Sequence, residues 1–231
     1  MALNKIALVV GILAILGIGI GFVMAKSKPG PSSSNMNSVT TATSNTPSTV
    51  PTNQAVANKS PLVVLPISNF YARVTNKRFG QYITPQNSPV QPEHFQGYHT
   101  GVDAESTPAE QNIDVSVFSV ADGTVVYRGY VSGYGGVVIV QINIDHQNLL
   151  AIYGHVRLSS VSVKRSSHVT AGQQLAVLGT GYSTEAAGER KHLHFALLKG
   201  STINFRGYVQ QSSELAHWLD PITWLQSHQA N

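Results

Sequence analysis

Two apolar runs decide the fold class of this chain: Gly136-Val137-Val138-Ile139-Val140-Gln141-Ile142-Asn143-Ile144 and Leu149-Leu150-Ala151-Ile152-Tyr153. Between them stands His146-Gln147-Asn148, a polar turn. Runs this short, rich in β-branched residues and bounded by turn residues, read as strands. The same pattern continues outward on both sides. Upstream, Val115 to Val120 and Thr124 to Tyr130 flank the turn signal Asp122-Gly123. Downstream, Gln174 to Leu178 and His192 to Leu198 are punctuated by Gly172, Gly179 and Gly181. No long stretch repeats every 3.6 residues, and a short helix is expected only near Ser213–Leu219. Many short strands with glycine turns predict an all-β, antiparallel sandwich or barrel-like domain.

The strand pattern occupies only the later part of the 231 residues, and three zones are expected. In residues 1–26, the stretch from Ile6 to Ala25 is a run of 20 residues without a charge. At 1.5 Å per residue such a helix spans about 30 Å, the thickness of a bilayer core. This predicts a single-pass membrane anchor with the C-terminal domain outside the cytoplasm. The alternative is a secretory signal cleaved after Val23-Met24-Ala25. Residues 27–60 read as a disordered linker, because Ser, Thr, Asn and Pro supply 23 of the 34 positions and no aromatic, Leu or Ile is present. Residues 61–231 are the folded domain. The net charge of +4 resides in the tail: residues 1–60 hold four Lys and no acid, while the rest holds 11 acids and 11 bases. A domain without a basic face is not expected to bind nucleic acid. The chain has no Cys, which excludes disulfides, thiolate-bound zinc and a thiol nucleophile.

Three patterns within the domain carry chemistry: His99-Thr100-Gly101-Val102-Asp103, Tyr153-Gly154-His155 and His192-Leu193-His194-Phe195. Residues two apart on a strand share a face, so His192 and His194 point together and Leu193 and Phe195 point the other way. Two imidazoles side by side are poor core material and suit a metal or a proton-transfer pair. Imidazole and carboxylate together favour Zn²⁺ over Mg²⁺ or Ca²⁺, and catalytic zinc sites keep a position open for water.

In order and wording these motifs resemble the M23 (LytM/lysostaphin-type) zinc metallopeptidases, which cut the peptide part of bacterial cell walls. The resemblance runs from about Gly80 to Leu198 and includes Ala121-Asp122-Gly123-Thr124-Val125 and the Gly-marked hairpin Val169-Thr170-Ala171-Gly172-Gln173 to Gly179-Thr180-Gly181. Asp220-Pro221 with Trp224-Leu225 also looks like the family's usual ending. The resemblance implies that His99, Asp103 and His194 bind one zinc per chain, with His155 and His192 as an uncoordinated catalytic pair. It also implies a zinc-dependent endopeptidase acting on peptidoglycan peptides. The alternative is a non-catalytic LytM-type module that binds wall or activates another wall hydrolase. Degenerate members of the fold typically lose one of these five residues, and all five are present here. A purely structural tether or adhesin leaves the set unexplained.

The chain departs from the family pattern in two loops and at one strand position. Glu105 to Asp114 is longer and more acidic than the family's compact loop, and Tyr182 to Lys191 carries Glu185, Glu189, Arg190 and Lys191 in place of a Gly/Ser run. Ala196 stands where the family often has Glu. These changes bear on substrate choice. The segment from Pro61 to Gly80 precedes the motifs, and the pattern leaves open whether it straps the groove. His146 is expected in a turn, and His94, His168, His217 and His228 on the surface or in loops. Alternation turns Tyr98 away from the site, and Tyr153 is expected to pack.

Overall fold

A computed structural model of the chain describes residues 62–229. The expected anchor and linker lie outside them, and among the described residues no helix is long and apolar enough to cross a membrane. The elements in chain order begin with helix α1 (Phe70–Arg73), β1 (Tyr82–Ile83), β2 (Gly97–His99), β3 (Val102–Glu105), β4 (Ser116–Phe118), β5 (Gly123–Val131) and β6 (Gly135–Ile144). They continue with β7 (Gln147–Gly154), β8 (His168–Val169), β9 (Gln174–Val177), β10 (His192–Lys199), β11 (Tyr208–Val209), β12 (Trp218–Leu219) and helix α2 (Pro221–His228).

The strands named here pair antiparallel throughout. The main sheet has seven strands in the order β12-β10-β7-β6-β5-β8, and β3 also pairs with β10. It does not close, which corrects the barrel-like part of the expectation. Closure needs the last strand to reach the first. Here β8 ends the sheet on one side, while β3 and β12 share the other edge of β10 in tandem.

Two small sheets cover the faces instead. Val117 of β4 and Leu175 of β9 pack with Val138, Val140 and Phe195 of the main sheet and with Phe70, Trp224 and Leu225 of the helices. On the opposite face, Val209 of β11 and Tyr98 of β2 pack with Val137, Ile139 and Ile152. The domain therefore has three layers. Its central strands read as continuous apolar runs because odd and even positions both meet a core.

Local differences from the expectation have local causes. Asp145 and His146, at φ 50° and 62°, make the two-residue turn, so Gln147 and Asn148 already belong to β7. The segment expected as a short helix forms a 3₁₀ turn over Ser212–His217 and then strand β12. Helix α2 was signalled only by its start: Pro221 sits in the first turn and the Asp220 carboxylate accepts the Ile222 amide. Val63, Ile67, Phe70 and Val74 of the segment before Gly80 join the first apolar cluster, while its end reaches the site through Lys77 and Arg78.

Candidate active site

The site is built on the first half of β10. Its register sets His194 opposite Asp103 of β3 on one side and Gly154 of β7 on the other, with His192 opposite Glu105. Leu193 and Phe195 enter the first core cluster, which leaves His192 and His194 on the other face. His155 follows the end of β7 in a left-handed conformation, φ 62°. His99 ends β2 and pairs in register with Tyr208 of β11. Two glycines keep the space open. A Cβ on Gly101 would lie 2.9 Å from His194 Nε2 and 2.5 Å from the Phe195 carbonyl oxygen. One on Gly154 would lie 2.6 Å from the Tyr134 ring.

All five expected site residues come together. His99 Nε2 lies 3.0 Å from His194 Nδ1 and 3.4 Å from Asp103 Oδ1, and His194 Nδ1 lies 3.2 Å from the same oxygen. These three atoms can hold one metal ion. Zinc bound tetrahedrally at 2.0–2.1 Å needs ligand atoms about 3.3 Å apart, so the donor set fits. The far sides of the ligands are tied down as metal ligands usually are. His99 Nδ1 faces the Arg78 carbonyl at 3.3 Å, and His194 Nε2 faces the Tyr134 hydroxyl at 3.2 Å. Asp103 Oδ2 accepts from Arg190 Nη2 at 2.9 Å.

The two other histidines stand beside this set. Their rings are 4.4 Å apart. His192 Nδ1 donates to the Arg190 carbonyl at 2.8 Å, and its Nε2 lies 3.3 Å from Asp103 Oδ2. His155 Nδ1 is buried with no hydrogen-bond partner. Asp103, His155, His192 and His194 all line one cavity of about 280 Å³.

Burial dominates the electrostatics. It pushes His155 well below the ordinary histidine range, helped by the nearby His192 and His194. It pushes His194 down to about 4, against the opposing hydrogen bond to Asp103. For Asp103 burial acts upward, but His192, His99 and His194 outweigh it and hold the carboxyl well below its usual range. Near neutral pH His194 is therefore neutral and Asp103 ionised, the protonation states a metal requires of these two ligands.

Several residues that matter here were not singled out from the sequence. Tyr134 sits in the turn between β5 and β6 and Tyr208 on the two-residue strand β11, with no motif around either. Tyr208 packs against His99 with ring centres 5.0 Å apart and planes tilted by 32°. Lys77 is buried and paired with Glu93 at 2.5 Å. Arg190 was noted only as a departure, yet it joins Asp103 to Glu105, donating from Nε to Glu105 Oε2 at 2.8 Å. The two departing loops in fact hold each other. Lys191 Nζ donates to the carbonyls of Glu110 and Ile113 at 2.8 and 2.6 Å, and Arg157 pairs with Asp114 at 2.8 Å. The remaining histidines follow expectation: His94, His146, His168 and His217 are exposed, and His228 lies over Trp224 on α2. Tyr153 is fully buried, and its hydroxyl accepts the Val120 amide at 2.9 Å.

Residues 97–205 match the model of peptidase family M23. The chain is 33% identical over 97 residues to lipoprotein NlpD of Yersinia enterocolitica, covering 41% of this chain and 90% of that protein. It is 36% identical over 96 residues to an uncharacterised protein of Haemophilus influenzae, covering 41% of this chain and 21% of that one. Among solved structures it is similar to the catalytic domain of the antimicrobial peptidase lysostaphin from Staphylococcus simulans. That likeness has 27% identity and a TM-score of 0.44, covering 64% of this chain and 89% of that domain.

Proposed function

Since the chain belongs to peptidase family M23, we propose that it is a zinc-dependent endopeptidase that hydrolyses peptide bonds in peptidoglycan stems or cross-links. The observation that carries this reading is the set of three donor atoms 3.0–3.4 Å apart, with the rings of His155 and His192, 4.4 Å from each other, beside it. In this reading His99, Asp103 and His194 hold the ion. Zinc held there would supply an acidified water and polarise a carbonyl. The chain's own residues do the rest. Arg190 and Tyr134 fix the orientation of Asp103 and His194. His155, kept neutral by burial, and His192 take a proton from the attacking water and return one to the leaving amine. His192 Nε2 stands 3.3 Å from Asp103 Oδ2.

We assign the activity to the space outside the cytoplasmic membrane, with Ile6 to Ala25 as anchor, residues 27–60 as tether and residues 61–231 as the peptidase domain. Similarity to a protein named as a lipoprotein supports an envelope location. The test is release of new amino groups, with the freed peptides identified by mass, when the zinc-loaded full-length chain meets purified peptidoglycan. Release that a chelator abolishes and zinc restores is expected. Wall binding without release, zinc being in place, would overturn the hydrolase reading in favour of a non-catalytic wall-binding module.

A further inference from the structure

The acids of the two departing loops are nearly all paired. Glu105 accepts from Arg190, Glu110 from Arg73 and Asp114 from Arg157. Glu185 lies 3.8 Å from Arg157 with its side chain 32% exposed to water. Glu189 differs from all of them. It is 5% exposed, its nearest cation is Arg190, 3.9 Å from Oε2, and its Oε1 is buried with no hydrogen-bond partner. It lines the same cavity as His155, His192 and His194. A buried carboxylate oxygen without a donor is costly, and burial accordingly raises the Glu189 carboxyl despite the pull of Lys77.

The other walls of the cavity say what kind of donor suits it. Lys77 lines it, but its ammonium is already held by Glu93 at 2.5 Å and by the Tyr208 hydroxyl at 3.2 Å. Arg190 Nη1, 3.9 Å from Glu189 Oε2, is also buried without a hydrogen-bond partner, but Arg190 does not line the cavity, so the charged group of the lining that lacks a partner is the Glu189 carboxylate, at Oε1. Phe95 and Tyr208, stacked 5.5 Å apart, line the cavity with apolar ring surface. Such rings pack against methylenes and attract a cation at their faces.

We propose that Glu189 is a specificity residue that receives a primary ammonium at the end of an aliphatic side chain of the substrate, beside the bond that is cut. The proposal rests on the hydrolase reading and narrows it. It selects stems and cross-links built on a diamino acid with a free amine, and disfavours glycine bridges, which carry no side-chain amine. The ammonium gives Oε1 a charge-assisted hydrogen bond, and the stem lies along the aromatic wall.

The experiment compares two soluble stem peptides ending in lysyl-D-alanyl-D-alanine, one with the lysine amine free and one with it acetylated. Binding is measured by calorimetry on the zinc-loaded full-length His155→Ala chain, so that affinity is read without turnover. The free amine should bind about 10- to 100-fold more tightly, the scale of a hydrogen bond to a charged group. Adding Glu189→Gln should shrink that gap to about twofold or less, with zinc content and circular dichroism unchanged. Glu189→Asp, which keeps the charge on a shorter arm, should keep an intermediate gap and serves if the Gln variant does not fold. Equal binding of both peptides, or an undiminished gap in Glu189→Gln, overturns the proposal. Cleavage of peptidoglycan by the wild type is scored separately, so failure of the hydrolase reading is distinguishable from failure of the Glu189 assignment.

Discussion

The two halves of β10 share one backbone ladder and do opposite things. From His192 to Phe195 the strand pairs with β3, joined from His194 onward by β7 on its other side, and from Leu197 to Leu198 it lies between β12 and β7. One face is the same in both halves: Leu193, Phe195 and Leu197 all enter the first apolar cluster. The other face changes. Ala196 and Leu198 complete the second apolar cluster, while His192 and His194 stand among buried charge. The site is thus a stretch of core face in which two leucine-sized positions carry imidazoles. What makes this tolerable is the dense set of partners supplied by β3 and the loop before β10, since buried polar groups persist only when paired. The lesson is that the ladder provides rigidity in both halves, while the identity of the partner strand decides whether the outward face stores apolar contact or charge.

The comparison breaks most severely at the metal ligands. Asp103→Ala or His194→Ala should reduce bound zinc from about one per chain to near zero and peptide release to background, as expected for loss of one of three ligands. Circular dichroism should stay that of a β protein, because β10 keeps its ladder on both sides. Elemental analysis and the amino-group assay together check this.

The histidine pair comes next. His155→Ala and His192→Ala should each keep zinc and lower cleavage by about 10²–10⁴-fold, the range of general acid–base help. The double variant should lose little more than either single one, since the two residues act on one proton path. Full additivity in the rates would show that they do not.

In the apolar half, Leu197→Ala should cost about 2–5 kcal/mol of stability, the usual range for emptying a core leucine site. Zinc stoichiometry and the rate per folded molecule should be unchanged. A denaturant titration beside the rate measurement sharpens the contrast between the halves.

Arg190→Met removes the link between Asp103 and Glu105. Zinc affinity should fall about 10- to 100-fold, as when a group orienting a metal ligand is lost. Competition with a chromophoric chelator reads this directly. Arg190→Lys should restore part of the affinity, because it returns one charge without the fork that meets both acids.

The smallest effect lies beyond β3, at the Arg73–Glu110 pair, 2.7 Å apart. The hydrogen bonds from Arg73 bring the Glu110 carboxyl down from its ordinary value of 4.5 to about 2. A depressed carboxylate pKa means that the unfolded chain takes up protons first as pH falls. The stabilisation is complete above about pH 4.5 and is lost progressively toward pH 2. Glu110→Gln should therefore lower stability at pH 7, flatten the stability curve in that window and converge on the wild type near pH 2, as acid unfolding of the two chains would reveal.

Much of this was legible in the chain itself. The central strands announced themselves because residues buried on both faces leave uninterrupted apolar runs, and the alternation His192-Leu193-His194-Phe195 already separated the site face from the core face. The five candidate residues stood out as the motifs His-x-x-x-Asp, Tyr-x-His and His-x-His, while their division into ligands and a catalytic pair came only from the family resemblance. The helix α2 was not legible, since its eight residues bury only Pro221, Trp224 and Leu225 and are too few to display a period. Nor was the role of the segment before Gly80, where Val63, Ile67, Phe70 and Val74 are scattered apolar residues until the sheet gives them something to pack on.

By itself, then, the order of residues determined an antiparallel β domain, its main strands, the five candidate site residues and the chemistry of their donor atoms. Those properties depend on neighbours within a few positions along the chain. Only the tertiary structure decided that the sheet stays open and is covered on both faces. Only there does Arg190 meet Asp103 and Glu105, some 85 residues away in sequence, while Glu189 is left facing the cavity with an unpaired oxygen. Which charge finds a partner is a matter of distance in space, and strand register sets that distance through contacts that no local pattern encodes.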